Sequence, residues 1–77
     1  MVRVIQAILI HRKHNTDEQA DMFLQRNGFK NDDVTLTRSY YVCRQLDASQ
    51  LKDDGYSLHL ELYNWFRKVY AVIAIKP

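Results

Sequence analysis

The sequence predicts an α+β fold of order β-α-β-β-β, one helix packed on a four-stranded, mainly antiparallel sheet. Three observations carry that expectation. Thr16 and Gln19 have the spacing of a capping box, Val2–His11 is a β-branched run, and Val34–Leu46 and Tyr56–Tyr63 alternate apolar with polar residues. All 77 residues are expected in a single domain, because the length supports one core and not two.

The elements follow in order. Val2–His11 is apolar on both alternating faces, the pattern of a strand buried on both sides, and Arg12-Lys13-His14-Asn15 ends it. The helix runs from about Asp17 to Asn27. Asp17, Glu18 and Asp21 place negative charge near its N-terminus, and Ala20, Phe23 and Leu24 form its apolar stripe. Asn27-Gly28 ends it, with Gly28 suited to the left-handed conformation and Phe29 placed to fold back.

After a turn at Asn31-Asp32-Asp33, Val34–Leu46 reads as one long half-buried strand. Strict alternation puts Val34, Leu36, Tyr40, Val42 and Leu46 on its apolar face, and Tyr41 and Cys43 on the other. Arg38 and Arg44 then fall on the apolar side, which calls for a bulge or a position on the rim of the core. Asp47–Gly55 is a polar loop with room for one helical turn around Leu51. Tyr56–Tyr63 and Val69–Ile75 are read as strands joined by a hairpin loop over Asn64–Lys68. Leu58, Leu62, Trp65, Phe66, Val69, Val72 and Ile73 also have helical spacing, so one long C-terminal helix competes. The β-branched density of the last run favours strands.

Composition bounds the function classes. The net charge is +2 with histidines neutral, a mild excess that neither demands nor forbids a polyanionic partner. Cys43 is the only cysteine, which leaves no intramolecular disulfide framework and fits a reducing compartment. The apolar start stops far short of the ~20 residues of a membrane span, and it has neither the charged leader nor the cleavage site of a signal peptide. The expected location is the cytoplasm, without a membrane.

Catalytic chemistry finds little support. His11, His14, Cys43 and His59 lack zinc-site spacing. Cys43 sits within a strand, where cysteine is usually a small buried hydrophobe. No serine lies in an elbow motif, and no glycine-rich phosphate loop is present. The expectation is therefore no enzyme, no metal and no cofactor.

Two surfaces are candidates for binding. Arg12-Lys13-His14 ends the first strand and Arg67-Lys68 begins the last. As antiparallel neighbours these clusters would meet beside Tyr63, Trp65 and Phe66, giving cations for phosphates and aromatics for bases. The candidate nucleic-acid residues are Arg12, Lys13, Trp65, Arg67 and Lys68. The second candidate is a protein- or anion-binding group of Arg38, Tyr41, Arg44 and Gln45. Tyrosine and arginine are hot-spot residue types, and the Arg44-Gln45 pair suits a carboxylate, a phosphate or a backbone.

Several short stretches also resemble a known module: Ala7-Ile8-Leu9, Glu18 with Ala20, Phe23-Leu24, Asn27-Gly28-Phe29-Lys30, Thr37, Tyr40-Tyr41-Val42, Arg44-Gln45 and Ala71-Val72-Ile73. Together they resemble the small β-α-β-β module of tailed-phage head-morphogenesis and prohead-protease-associated proteins, which also occurs in uncharacterised proteins of large DNA viruses. Cys43, Leu46-Asp47 and Ala74 depart from its pattern. No catalytic residue is tied to the module, so none carries over. The resemblance implies a viral or phage origin and an accessory binding role, either in head assembly or in the virion. Inhibition of a host enzyme or defence complex is the other such role. The partner expected first is a viral or host protein, with nucleic acid as the alternative and self-association left open. The setting would be the host-cell cytoplasm or the virion.

Overall fold

A computed structural model describes all residues from 1 to 77 and places β1 (Val2–His11) at the centre of a five-stranded sheet. The other elements are α1 (Asp17–Arg26), β2 (Val34–Leu36), β3 (Tyr40–Arg44), α2 (Ala48–Asp53), β4 (Ser57–Asn64) and β5 (Val69–Lys76). Strand order is β2-β3-β1-β5-β4, and every neighbouring pair is antiparallel. The α+β class predicted from sequence is the class observed.

The helix signals act as their chemistry requires. The Thr16 Oγ1 accepts from the Gln19 backbone N–H at 3.1 Å, and the Gln19 Oε1 accepts from the Thr16 N–H at 2.9 Å. At the other end Gly28 takes φ +74°, while the Phe29 N–H donates to the Leu24 carbonyl and the Gly28 N–H to that of Gln25. That pair of bonds is a Schellman motif, and it turns Phe29 back against the core.

The core lies between α1 and one face of the sheet. Ala20 and Leu24 of the helix meet Ile8, Ile10, Tyr41, Cys43, Val69, Ala71 and Ile73 of the three central strands. Residues directly opposite in a ladder share a face. The pairs Ile8↔Cys43, Ile10↔Tyr41, Ile8↔Ala71, Ile10↔Val69 and Ile5↔Ile73 account for this set.

The long strand expected over Val34–Leu46 is instead a hairpin, so the sheet has five strands and not four. The chain reverses at Arg38-Ser39, where the Thr37 N–H donates to the Tyr40 carbonyl and the Tyr40 N–H to the Thr37 hydroxyl, both at 2.9 Å. Neither turn residue has a positive φ, and no glycine or proline marks the site. The turn resets the alternation. Leu36 now faces the same side as Tyr41, so Tyr41 and Cys43 point into the core, opposite to the expectation for one continuous strand.

Two further departures are local. Gln6 is the extra residue of a bulge between Ile5 and Ala7, and it is buried. Its Nε2 donates to the Leu46 carbonyl at 2.9 Å, and its own carbonyl accepts from the Gln45 and Leu46 N–H groups, which anchors the exit from β3. The helical turn allowed for around Leu51 is α2, capped by the Asp47 carboxylate on the Gln50 N–H at 3.1 Å. Residues 57–64 and 69–76 are paired strands, which excludes the competing C-terminal helix. No helix is long and apolar enough to cross a membrane.

Candidate functional site

The predicted group of Arg38, Tyr41, Arg44 and Gln45 does not form one surface. Tyr41 is buried, and burial first, then the nearby Asp21 carboxylate, pushes its phenol pKa up. The Arg44 Nε donates to the Asp33 carboxylate at 2.8 Å, a bond that together with the charge of Asp33 raises the guanidinium pKa. Gln45 acts as a backbone clamp. Its Oε1 accepts from the Lys30 N–H and its Nε2 donates to the Lys30 carbonyl, both at 2.9 Å. The amide thus supplies Lys30 with the pair of bonds a neighbouring strand would give. Arg38 sits at the tip of the β2–β3 turn, beyond the other end of β3.

The basic clusters, in contrast, do meet. Antiparallel pairing of β1 with β5 brings the end of the first strand beside the start of the last, and the His11 N–H donates to the Lys68 carbonyl at 3.2 Å. The β2–β3 turn joins them through the Arg12 N–H, which donates to the Ser39 carbonyl at 2.9 Å. Across the sheet end the order is therefore Arg38, then Arg12 and Lys13, then Lys68 and Arg67, then Trp65 and Phe66. The two hairpin turns lie three inter-strand steps apart, about 14 Å.

The cations in that row have different duties. Arg12 is a brace: its Nε and Nη2 hold the Asp17 carboxylate at 3.1 and 3.2 Å, and its Nη1 donates to the Thr37 carbonyl at 2.8 Å. Lys68 places its Nζ 3.4 Å from the centroid of the Trp65 ring. The ion pairs of the molecule are Arg3–Glu61, Arg12–Asp17 and Arg44–Asp33, so Lys13, Arg38 and Arg67 have no carboxylate partner. A recess of about 470 Å³ opens between Lys13 and Arg38, floored by His11 and Ser39. On the far side of the row a cleft of about 450 Å³ runs between α1 and the β4–β5 turn, edged by Arg26, Asn27, Asn64 and Arg67.

The aromatic side chains divide in the same way. Tyr63 is used internally, edge-on to Phe23 and Phe29 with centroids at 6.1 and 5.8 Å. Trp65 and Phe66 project from the β4–β5 turn with 62% and 93% of their surface exposed. Lys68 holds the left-handed backbone conformation at φ +55°, which an L side chain adopts under strain. The turn keeps it through the Lys68 N–H on the Trp65 carbonyl and the Arg67 N–H on the Asn64 Oδ1 at 3.0 Å. Both rings thus face solvent beside Arg67 and Lys68.

No protein-family model, no curated protein and no solved structure is similar to this chain. The site's chemistry must therefore be read from its own residues.

Asn15 is the site residue that the sequence does not single out. It is buried where the β1–α1 loop crosses the β4–β5 turn, and its Nδ2 donates to the Arg67 carbonyl at 2.6 Å and the His11 carbonyl at 3.2 Å. One amide thereby locks the two basic segments together. A lone asparagine in a polar stretch carries no such signal. Elsewhere, Cys43 is fully buried, its thiol donates to the Lys30 carbonyl at 3.0 Å, and burial pushes its pKa up. A thiol held in that state is a packing group and not a nucleophile. No group of three or more His, Cys, Asp or Glu side chains is gathered to hold a metal.

Proposed function

We propose that this chain is a small non-enzymatic binding protein that holds single-stranded nucleic acid across the basic end of its sheet. One observation carries the reading: Lys13, Arg38 and Arg67, none with a carboxylate partner, stand in a row that ends in exposed Trp65 and Phe66. Cations track phosphates without reading sequence, and each base presents a face on which an aromatic ring can stack. The row, about 14 Å from one hairpin turn to the other, is too short for more than a few nucleotides, and its exposed rings stack on unpaired bases that a duplex keeps inside. Binding is therefore expected to be weak, tolerant of sequence and selective for single strands.

Fluorescence anisotropy with labelled single- and double-stranded probes of matched length tests this. The single strand should bind more tightly, and Lys13→Glu and Arg67→Glu should each weaken it while the fold persists by circular dichroism. Equal affinity for both probes, or affinity unchanged in both variants, would overturn it.

The resemblance to phage head-morphogenesis modules supports a viral setting, in an infected cell's cytoplasm or a virion. A role in head assembly or in inhibiting a host enzyme would need a protein partner. What favours that second reading is the sheet face that α1 leaves uncovered, where Leu60 and Leu62 remain exposed.

A further inference from the structure

The cleft between α1 and the β4–β5 turn presents hydrogen-bond donors to a ligand smaller than a strand. Gln19, Met22, Phe23 and Arg26 line it from α1. Their spacing of i, i+3, i+4 and i+7 puts them in one stripe along the helix. Asn64 and Arg67 close it from the turn, and no carboxylate is among the lining residues. Neither Arg26 nor Arg67 belongs to an ion pair of the molecule.

The amides beside them keep their donors spare. The Gln19 Oε1 accepts from the Thr16 N–H at 2.9 Å, and the Asn64 Oδ1 accepts from the Arg67 N–H at 3.0 Å. Both bonds use the oxygen, so each NH2 group stays unbonded within the chain. Asn27 is the reverse: its Nδ2 donates to the Phe23 carbonyl at 2.8 Å, which leaves its Oδ1 as an acceptor. Met22 and Phe23, the latter edge-on to Tyr63, supply an apolar wall. A volume of about 450 Å³ lies within the range of small-molecule sites.

We infer that this cleft binds a nucleoside monophosphate, either free or as the terminal nucleotide of a strand. A phosphate monoester carries a charge of about −1.5 to −2 at neutral pH and three strong acceptor oxygens. Two guanidiniums and two NH2 groups match that charge and that acceptor count. A carboxylate, with one charge and two oxygens, leaves part of the set unused. The planar base lies against Met22 and Phe23, and a sugar hydroxyl or base amine donates to the Asn27 Oδ1. Arg67 belongs to both cleft and row. The inference nevertheless stands without strand binding, since a single nucleotide cannot span the row.

Titration of the full chain with adenosine monophosphate, followed by amide and methyl chemical shifts, tests the cleft. Shifts should concentrate at residues 19–27 and on the Met22 methyl. Adenosine alone and inorganic phosphate alone should each bind at least about tenfold more weakly. Arg26→Ala, at an exposed position, should weaken the monophosphate by about tenfold. A second arm identifies the source of the nucleotide. Tighter binding of a strand phosphorylated at one end than of its hydroxyl twin, lost in Arg26→Ala, assigns the cleft to strand ends, and equal binding assigns it to free nucleotides. A monophosphate that does not bind, that binds Arg26→Ala equally well, or that shifts the Trp65 indole and not α1 would overturn the proposal. Strand binding along the row is judged separately by its own anisotropy assay.

Discussion

The Asn15 side chain joins the Arg67 carbonyl at 2.6 Å, and through that bond the end of the first strand is fixed to the turn before the last. Replacing Asn15 by Ala removes the side-chain donor to the Arg67 carbonyl, while the His11 carbonyl keeps the His14 N–H. A loss of about 1–3 kcal/mol is expected in urea unfolding. Asn15→Asp should cost at least as much, since a carboxylate accepts and cannot donate. Both variants should also bind single strands more weakly than their stability loss explains, because Lys13 and Arg67 are no longer held in one row.

Salt dependence reports how many cations meet phosphates. Each neutralised phosphate contributes about 0.7 to the slope of log affinity against log salt for a single strand. Lys13, Arg38 and Arg67 together therefore predict a slope of about −2. Removing any one by alanine should flatten it by about 0.7, whereas Arg44→Ala, whose side chain is paired with Asp33, should leave it unchanged.

Trp65 should act in binding and not in folding. With most of its surface exposed, Trp65→Ala is expected to leave the unfolding midpoint nearly unchanged. It should weaken single-strand binding by about 1–3 kcal/mol if a base stacks on the indole. Fluorescence quenching of this single tryptophan during titration measures the contact directly.

Gln45 behaves in the opposite sense. Its amide satisfies both backbone groups of Lys30, so Gln45→Ala should destabilise the fold by about 1–3 kcal/mol. Nucleic-acid binding per folded molecule should not change. Urea unfolding and anisotropy on the same preparations separate the two effects.

Alkali should unfold the protein in a defined window. Burial raises the folded pKa of both Cys43 and Tyr41 above their unfolded values, so each favours the fold while neutral. That contribution is complete below the unfolded values, about 8.5 for the thiol and about 10 for the phenol, and is lost as pH rises through the higher folded ones. Melting temperature should therefore fall above about pH 8.5, and Cys43→Ala should flatten the first part of the fall. In the native state at neutral pH the thiol should resist labelling until the chain unfolds.

Much of this fold is legible in the sequence because its signals are local. The capping box at Thr16, the Gly28 stop and the two-sided apolar run of β1 each specify their element by short-range chemistry. The β2–β3 hairpin escapes because Thr37 closes it with a hydroxyl, and Arg38-Ser39 holds no glycine, proline, asparagine or aspartate, leaving serine as its one weak turn signal. Missing that turn inverts the parity of β3, which is why Tyr41 was expected at the surface and lies in the core. The meeting of Arg12-Lys13 with Arg67-Lys68 is legible once β1 and β5 are taken as neighbours. The separate duties of those cations are not, since Asp17 and Trp65 select their partners only in the folded chain.

Backbone amide chemical-shift mapping with a short single-stranded oligonucleotide tests the central claim most directly. Shifts should concentrate at residues 12–13, 37–39 and 64–68 and on the Trp65 indole N–H, and added salt should reverse them. Shifts centred instead on Lys30, Arg44 and Gln45, or none at saturating oligonucleotide, would contradict it.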